Sequence, residues 1–238
     1  MVHVAGRHRI LGRWFRRAES NVAGWSKRND SEGEFLSRVL PKRDARLIQI
    51  VDAALADATK RSGEWLVCRP GCTQCCHGVF AISQLDALRL RAGIEQLDRD
   101  DPARASLVRQ RARESMSRIG AEFPGDKRTG ILDENTEAQA AFDEFGNDEP
   151  CPALDPATGM CDLYEWRPMT CRVFGPPVRV EGGFSVCELC FQGATSKEIA
   201  ACEMELDPEG IEDALTEEAE IATGVRGRTI VAFALLSR

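Results

Sequence analysis

Cys68-Arg-Pro-Gly-Cys72-Thr-Gln-Cys75-Cys76-His77 packs four thiols into nine consecutive positions. Proline and glycine between the first two sulfurs make the segment a turn, not a helix or a strand. A turn can aim several sulfurs at one centre, and gaps of two or three residues are those of zinc knuckles and iron–sulfur ligand runs. Such a loop cannot bury its own backbone, so other elements must hold it in place. The flanking sequence supplies helices. The expected fold class is therefore mainly α: helices around an irregular cysteine-rich metal centre, with at most one small β-hairpin.

How the ten cysteines are to be read depends on compartment and size. A chain of 238 residues can bury a real core without a disulfide framework. The basic N-terminus is not followed by an apolar stretch of the kind a secretion signal carries. The longest apolar run, Ile230 to Leu236, is far short of the roughly 20 residues a membrane helix needs. The expectation is a cytoplasmic protein, in which clustered thiols are metal ligands or redox centres and not staples. A net charge of −7 argues against nucleic acid as a partner.

The adjacent pair Cys75-Cys76 constrains the geometry. In an extended segment neighbouring side chains point to opposite sides, so both would not easily join one tetrahedral ion. Either one faces elsewhere or the site holds two metals or a multi-iron cluster. A second group follows at Cys151, Cys161 and Cys171, ten residues apart, which must converge through the fold. Cys187 and Cys190 form a C-x-x-C pair. Cys202 lies on an apolar helical face and reads as a buried, unligated thiol. Arg69, Arg167 and Arg172 are candidates to offset thiolate charge.

Periodicity places the helices. Residues 42–61 carry Leu47, Ile50, Val51, Ala54 and Ala58 at helical spacing, ended by Gly63. Ser83 caps a second helix to Leu97, with Asp86 three residues on. Asp101-Pro102 opens a third that runs to about Phe123, its arginines on a solvated face. Pro124 to Gly130 reads as a loop. The acidic stretch 133–149 holds a short helix ending near Phe145, its carboxylates solvated. A hairpin turns at Gly182-Gly183 within 178–187. Helices are expected over Thr195 to Leu206 and Pro208 to Thr223. Residues 1–30 form a basic arm, read as a frayed tail whose apolar residues dock on its own domain. Residues 31–205 form the cysteine-cluster domain, and 206–238 an acidic helix and apolar segment that pack on it.

The chain resembles the YkgJ-type cysteine-cluster proteins, a zinc- or iron-chelating family named for a CxxCxxCC motif. The resemblance rests on Cys68 to Cys76, on Cys151-Pro-Ala-Leu, and on Cys161-Asp-Leu-Tyr-Glu-Trp-Arg-Pro-Met-Thr-Cys171-Arg. It departs from the motif in its first gap, three residues instead of two. The resemblance implies eight ligand cysteines: Cys68, Cys72, Cys75, Cys76, Cys151, Cys161, Cys171 and Cys190, with Cys187 as the competitor for the eighth place. It implies zinc or iron as cofactor, the iron either alone or in an iron–sulfur cluster.

Three roles follow. The metal organises or stores; or a cluster carries electrons for a partner enzyme; or the chain modifies protein, as flagellin lysine methylases with a related cysteine domain do. No glycine-rich strand–turn–helix supports the last. His77 beside Cys76 is a candidate ligand or proton shuttle, more often a loop residue. The expected partner is a metal ion, with a partner protein if the centre serves an enzyme; enzyme activity of the chain itself is not expected.

Overall fold

The Ser83 hydroxyl accepts a hydrogen bond from the Asp86 backbone N–H at 3.1 Å and so starts the central helix. This computed structural model describes residues 2–4, 40–180, 182–207 and 209–237. The central helix, here α2 (Gln84–Asp100), packs between α1 (Asp44–Ser62) and α7 (Ile211–Thr223) on one side and α3 (Pro102–Ile119) and α8 (Val231–Leu236) on the other. Leu85 and Leu88 join Leu47 and Val51 of α1 and Leu215 of α7 in one core. Ala87, Leu90 and Ile94 join Val108 of α3 and Leu235 of α8 in another. The three- and four-residue spacing of these side chains gives α2 an apolar stripe on both faces. Each leucine so buried contributes about 1.5–3 kcal/mol.

The helix ends follow the local signals. Asp101 accepts from the Arg104 amide at 3.0 Å with Pro102 in the first turn. Gly63 closes α1 at φ +50, and Asn135 caps α4 (Thr136–Glu144). Thr195 and Glu198 form a capping box on α6 (Ser196–Ala201), which stops five residues before the expected Leu206. The last acidic helix also starts later than expected. Its N-cap is Gly210 and not Asp207-Pro208, because Asp207 Oδ2 reaches past the turn to the Glu212 amide at 2.7 Å.

The expected hairpin is present as β5 (Val178–Val180) and β6 (Gly183–Val186), paired antiparallel. Val2–Val4, as β1, pairs parallel with β6. The remainder of the arm, with its arginines and Ile10 to Phe15, lies outside the described residues. Two further ladders exceed the single hairpin expected. β2 (Ala81–Ile82) pairs with β7 (Thr229–Ile230), and β3 (Gly125–Asp126) with β4 (Ile131–Leu132). Each is two residues long, too short to leave a period in the sequence, and β3 converts the predicted 124–130 loop into a tight turn. The class remains mainly α.

One half-buried acid makes the fold pH-sensitive. Glu212 faces Asp86, Arg89, Asp207 and Asp213, and burial pushes its carboxyl up from 4.5 to about 8, with Asp86 adding to the rise. The folded chain therefore keeps this proton up to about pH 8, while the unfolded chain releases it near 4.5. Stability from this group is fully present below about 4.5 and is lost as pH rises through about 8. Glu212→Gln should abolish that loss. Urea midpoints at pH 6 and pH 9 should converge in the variant, and equal slopes in both proteins would refute the assignment.

Candidate metal centre

The first cysteine group is a pair of turns. The Cys72 amide donates to the Arg69 carbonyl at 2.9 Å across Pro70-Gly71, and Gly71 sits at φ +86. That is the proline–glycine turn in which only glycine is comfortable at the third position. Gln74–Cys76 then forms a single 3-10 turn, with the Cys76 amide on the Thr73 carbonyl at 2.8 Å. The pair Cys75-Cys76 is thus not extended, as the sequence reading assumed. In a 3-10 turn successive side chains diverge by about 120°, not 180°. Their thiols stay within hydrogen-bond reach of each other.

Backbone pairing brings the second group to the first. The Cys151 amide donates to the Cys76 carbonyl at 2.7 Å, and the Gly78 amide to the Glu149 carbonyl at 2.9 Å. His77 and Pro150 form the antiparallel bridge between them. Residues 153–162 double back, with Asp162 N on the Ala153 carbonyl at 2.7 Å and Leu154 bridged to Cys161. Gly159 at the tip lies 3.5 Å from the Gly71 carbonyl, measured from where its Cβ would be. Cys171 stands in α5 (Met169–Arg172), a single helical turn. Asp86 of α2 holds that turn by accepting the Met169 amide at 2.9 Å.

Seven predicted ligands, Cys68, Cys72, Cys75, Cys76, Cys151, Cys161 and Cys171, line one cavity of about 440 Å³. Cys187 and Cys190 do not. They are buried in a separate cluster with Phe184, Phe191 and Ile199. All ten cysteines are free thiols, and Cys202 is buried with its sulfur 3.4 Å from the Arg61 carbonyl. Among the described residues, no three His, Cys, Asp or Glu side chains are drawn around one point. The thiols meet in pairs instead: Cys68 with Cys72, Cys75 with Cys76, and Cys187 with Cys190.

The electrostatics show mutual pressure among the sulfurs. Burial, then the neighbouring Cys161, pushes Cys151 up to about 12. Burial also raises Cys171 far above the ordinary thiol range and raises Cys161, although the Arg167 charge opposes the latter. At the cavity rim desolvation, with the charges of Cys72, Cys75 and Cys187, brings Cys68 to about 11. Cys75 is raised by its bond to Cys76. Cys187 goes the other way, to about 6, because it accepts from the Cys190 thiol and from the amides of Leu189 and Cys190. Cys151 likewise accepts from the amides of Ala153 and Leu154. A sulfur accepting amides two and three residues ahead is being prepared for negative charge.

Arginines do more here than the sequence indicated. Arg104 and Arg111 of α3 both bind Asp162, whose side chain is buried, and Arg111 Nε donates to the Pro152 carbonyl at 2.8 Å. Arg118 grips the buried Glu149 with two bonds, at 2.7 and 3.1 Å. The arginines were read as a solvated face and Glu149 as part of a solvated acidic stretch, while Asp162 was not singled out. They are clamps holding the second cysteine group against α3. Their signal was present as positively charged side chains at positions 104, 111 and 118, one turn-multiple apart, but the partner loop was not legible.

Arg172 and Arg167 both line the cavity. Arg172 is buried and bonds Asp52 at 2.9 Å and the Glu165 carbonyl. Arg167 lies 3.9 Å over the Tyr164 ring and donates to its carbonyl at 2.7 Å. Arg69 lies on the cavity wall beside Cys68. The missed residues of greatest consequence are Asp44, Asp86 and Arg89. Asp86 was read as a helix cap only, yet it ties Arg89 to the turn that carries Cys171.

No helix among the described residues is long and apolar enough to cross a membrane. No curated protein and no solved structure matches the chain significantly. The profile of the CxxCxxCC family, described as a "Putative zinc- or iron-chelating domain", matches residues 67–191, which begin just before Cys68 and end just after Cys190. With more than half of its length matched, and with its cysteines gathered as described, the chain belongs to the CxxCxxCC family of zinc- or iron-chelating domains.

Proposed function

We propose that the protein binds zinc or iron through thiolates drawn from Cys68, Cys72, Cys75, Cys76, Cys151, Cys161, Cys171, Cys187 and Cys190, and that metal ties the two cysteine groups together. The observation that supports this best is that seven of these thiols, from segments about a hundred residues apart, line a single cavity. The donor set fits a soft or borderline metal, which thiolates select. The amide bonds to Cys151 and Cys187 suit charged sulfurs more than buried thiols. When bound, the metal supplies charge that lets the raised thiols ionise. The chain's own contribution is to position them: α2 through Asp86, and α3 through Arg104, Arg111 and Arg118. Metal uptake should release protons, since Cys151 and Cys171 are held protonated without it.

Purification with and without oxygen, followed by metal analysis and a visible spectrum, tests this reading. Stoichiometric metal is expected. A colourless zinc protein from both preparations would discard an iron–sulfur centre. Chelation should lower stability by about 4 kcal/mol when metal is at a thousand times its Kd, or about 8–16 °C in Tm. A folded, metal-free chain indifferent to chelator would overturn the proposal.

A further inference from the structure

Nine thiols besides Cys202 gather here, and they do not gather evenly. Cys187 and Cys190 are buried among Phe184, Val186, Phe191 and Ile199, against Trp65, Leu66 and Phe174. Cys151 and Cys161 pack instead on the core of α2, α3 and α8. Two apolar clusters thus carry two sets of sulfurs. The second set lines the large cavity together with the first cysteine group, whereas Cys187 opens onto a smaller crevice formed by Phe174, Gly175 and Pro176.

The Cys68 end of the first group is fastened to the Cys187–Cys190 side. The Phe191 amide donates to the Trp65 carbonyl at 2.9 Å. The Cys190 sulfur accepts the amides of Val67 and Cys68. Gly175, at φ +123, separates the two strands of chain, and a Cβ there would come 3.8 Å from the Cys68 sulfur. Cys72 lies within hydrogen-bond reach of Cys68, and Cys187 is close enough for their charges to interact; Cys75 stands between the two ends, close enough for its charge to reach both Cys68 and Cys187. At the other end, Cys75 interacts with Cys151, Cys161 and Cys171, and those three interact among themselves. Cys76 pairs with Cys75 and lends its carbonyl to Cys151.

Resting on the metal-binding reading above, we propose that the chain holds two four-thiolate sites: an outer one of Cys68, Cys72, Cys187 and Cys190, and an inner one of Cys75, Cys151, Cys161 and Cys171. Cys76 and Cys202 are the thiols outside both. Each site then has the four sulfurs a tetrahedral ion takes, and no site needs both members of an adjacent pair. The outer site joins a C-x-x-x-C turn to a C-x-x-C turn, each with amides aimed at sulfur. The extra residue in the first gap belongs to this site. The Pro70-Gly71 turn that it allows ends on Cys72.

The test loads the full chain with zinc alone and counts ions by native mass spectrometry. The wild-type chain should carry two. Cys190→Ser and Cys161→Ser should each carry one, and Cys76→Ser should still carry two. A wild-type count of one, loss of all zinc from either single variant, or loss of an ion from Cys76→Ser would overturn the partition. Absence of zinc from the wild-type chain would instead overturn the metal-binding reading itself. Because a variant can fail to fold, the unaltered chain loaded with cadmium-113 gives a second measurement. Two resonances in the all-sulfur range are expected, and one alone would refute two sites.

Discussion

Replacing Arg89 with methionine should cost about 3–5 kcal/mol of folding stability, the largest single loss expected outside the thiols. Arg89 is 2% exposed in the middle of α2. Its Nη2 and Nε lie 2.5 and 2.8 Å from Asp44 Oδ1, and its Nη1 lies 2.6 Å from Asp86 Oδ1. Both carboxylates are nearly as buried. Methionine fills a similar volume, so the loss measures two acids stranded without a cation and not a cavity. Replacing all three residues by apolar ones of like size should restore much of the stability, because a buried ion network costs desolvation that an apolar cluster does not. The arginine also works at a distance. The oxygen of Asp86 that binds Arg89 is the one that accepts the Met169 amide. Hydrogen exchange at Met169 should therefore quicken in Arg89→Met by more than the global loss allows. Unchanged protection there would separate the network from the cysteine turn.

Gly93→Ala should destabilise by about 2 kcal/mol, or about 4–8 °C in Tm, even though alanine is the better helix former. A Cβ at Gly93 would stand 2.5 Å from both Cβ and Cγ of Trp166. No carbon contact that close is tolerated, so helix and turn must part, at the overpacking cost of about 1–3 kcal/mol or more. Trp166 belongs to the 3-10 turn Tyr164–Trp166, between Cys161 and Cys171. Parting it from α2 moves the segment that carries Arg167. In a Trp166→Gly background, which removes both the Cβ and the Cγ that the new methyl group meets, the same alanine should be neutral or favourable, since only its helix propensity remains. A double-mutant cycle with no coupling would show that the close approach does not constrain the turn.

Much of this was readable in the chain. The helices of 44–62, 84–100 and 102–119 are legible because cap, apolar period and terminator agree over many turns, and local signals of that length survive any tertiary context. The two cysteine groups are legible because thiols at turn spacing are a chemical pattern, not a conformational one. The short elements are different. A two-residue ladder such as Ala81–Ile82 with Thr229–Ile230 has no period of its own and exists because its strands meet. The same holds for the length of α6 and the late start of α7, where Asp207 found a partner that the sequence could not name.

Charge was where the sequence misled. Arg89 looks like any helical arginine, and Arg104, Arg111 and Arg118 like a wetted face. Whether such a side chain is solvated or clamps a carboxylate depends on what the fold puts opposite it. For Asp162 and Glu149 that was decided about thirty to sixty residues away. The sequence by itself determined where the candidate metal ligands lie: thiols at Cys68 to Cys76, at Cys151, Cys161 and Cys171, and at Cys187 and Cys190. Only the tertiary structure decided which sulfurs are neighbours. The pairing of Cys151 with Cys76, and of Cys190 with the Val67 and Cys68 amides, closes loops of more than seventy residues. Closure over that distance is settled by packing against α2 and α3, and no local spacing encodes it.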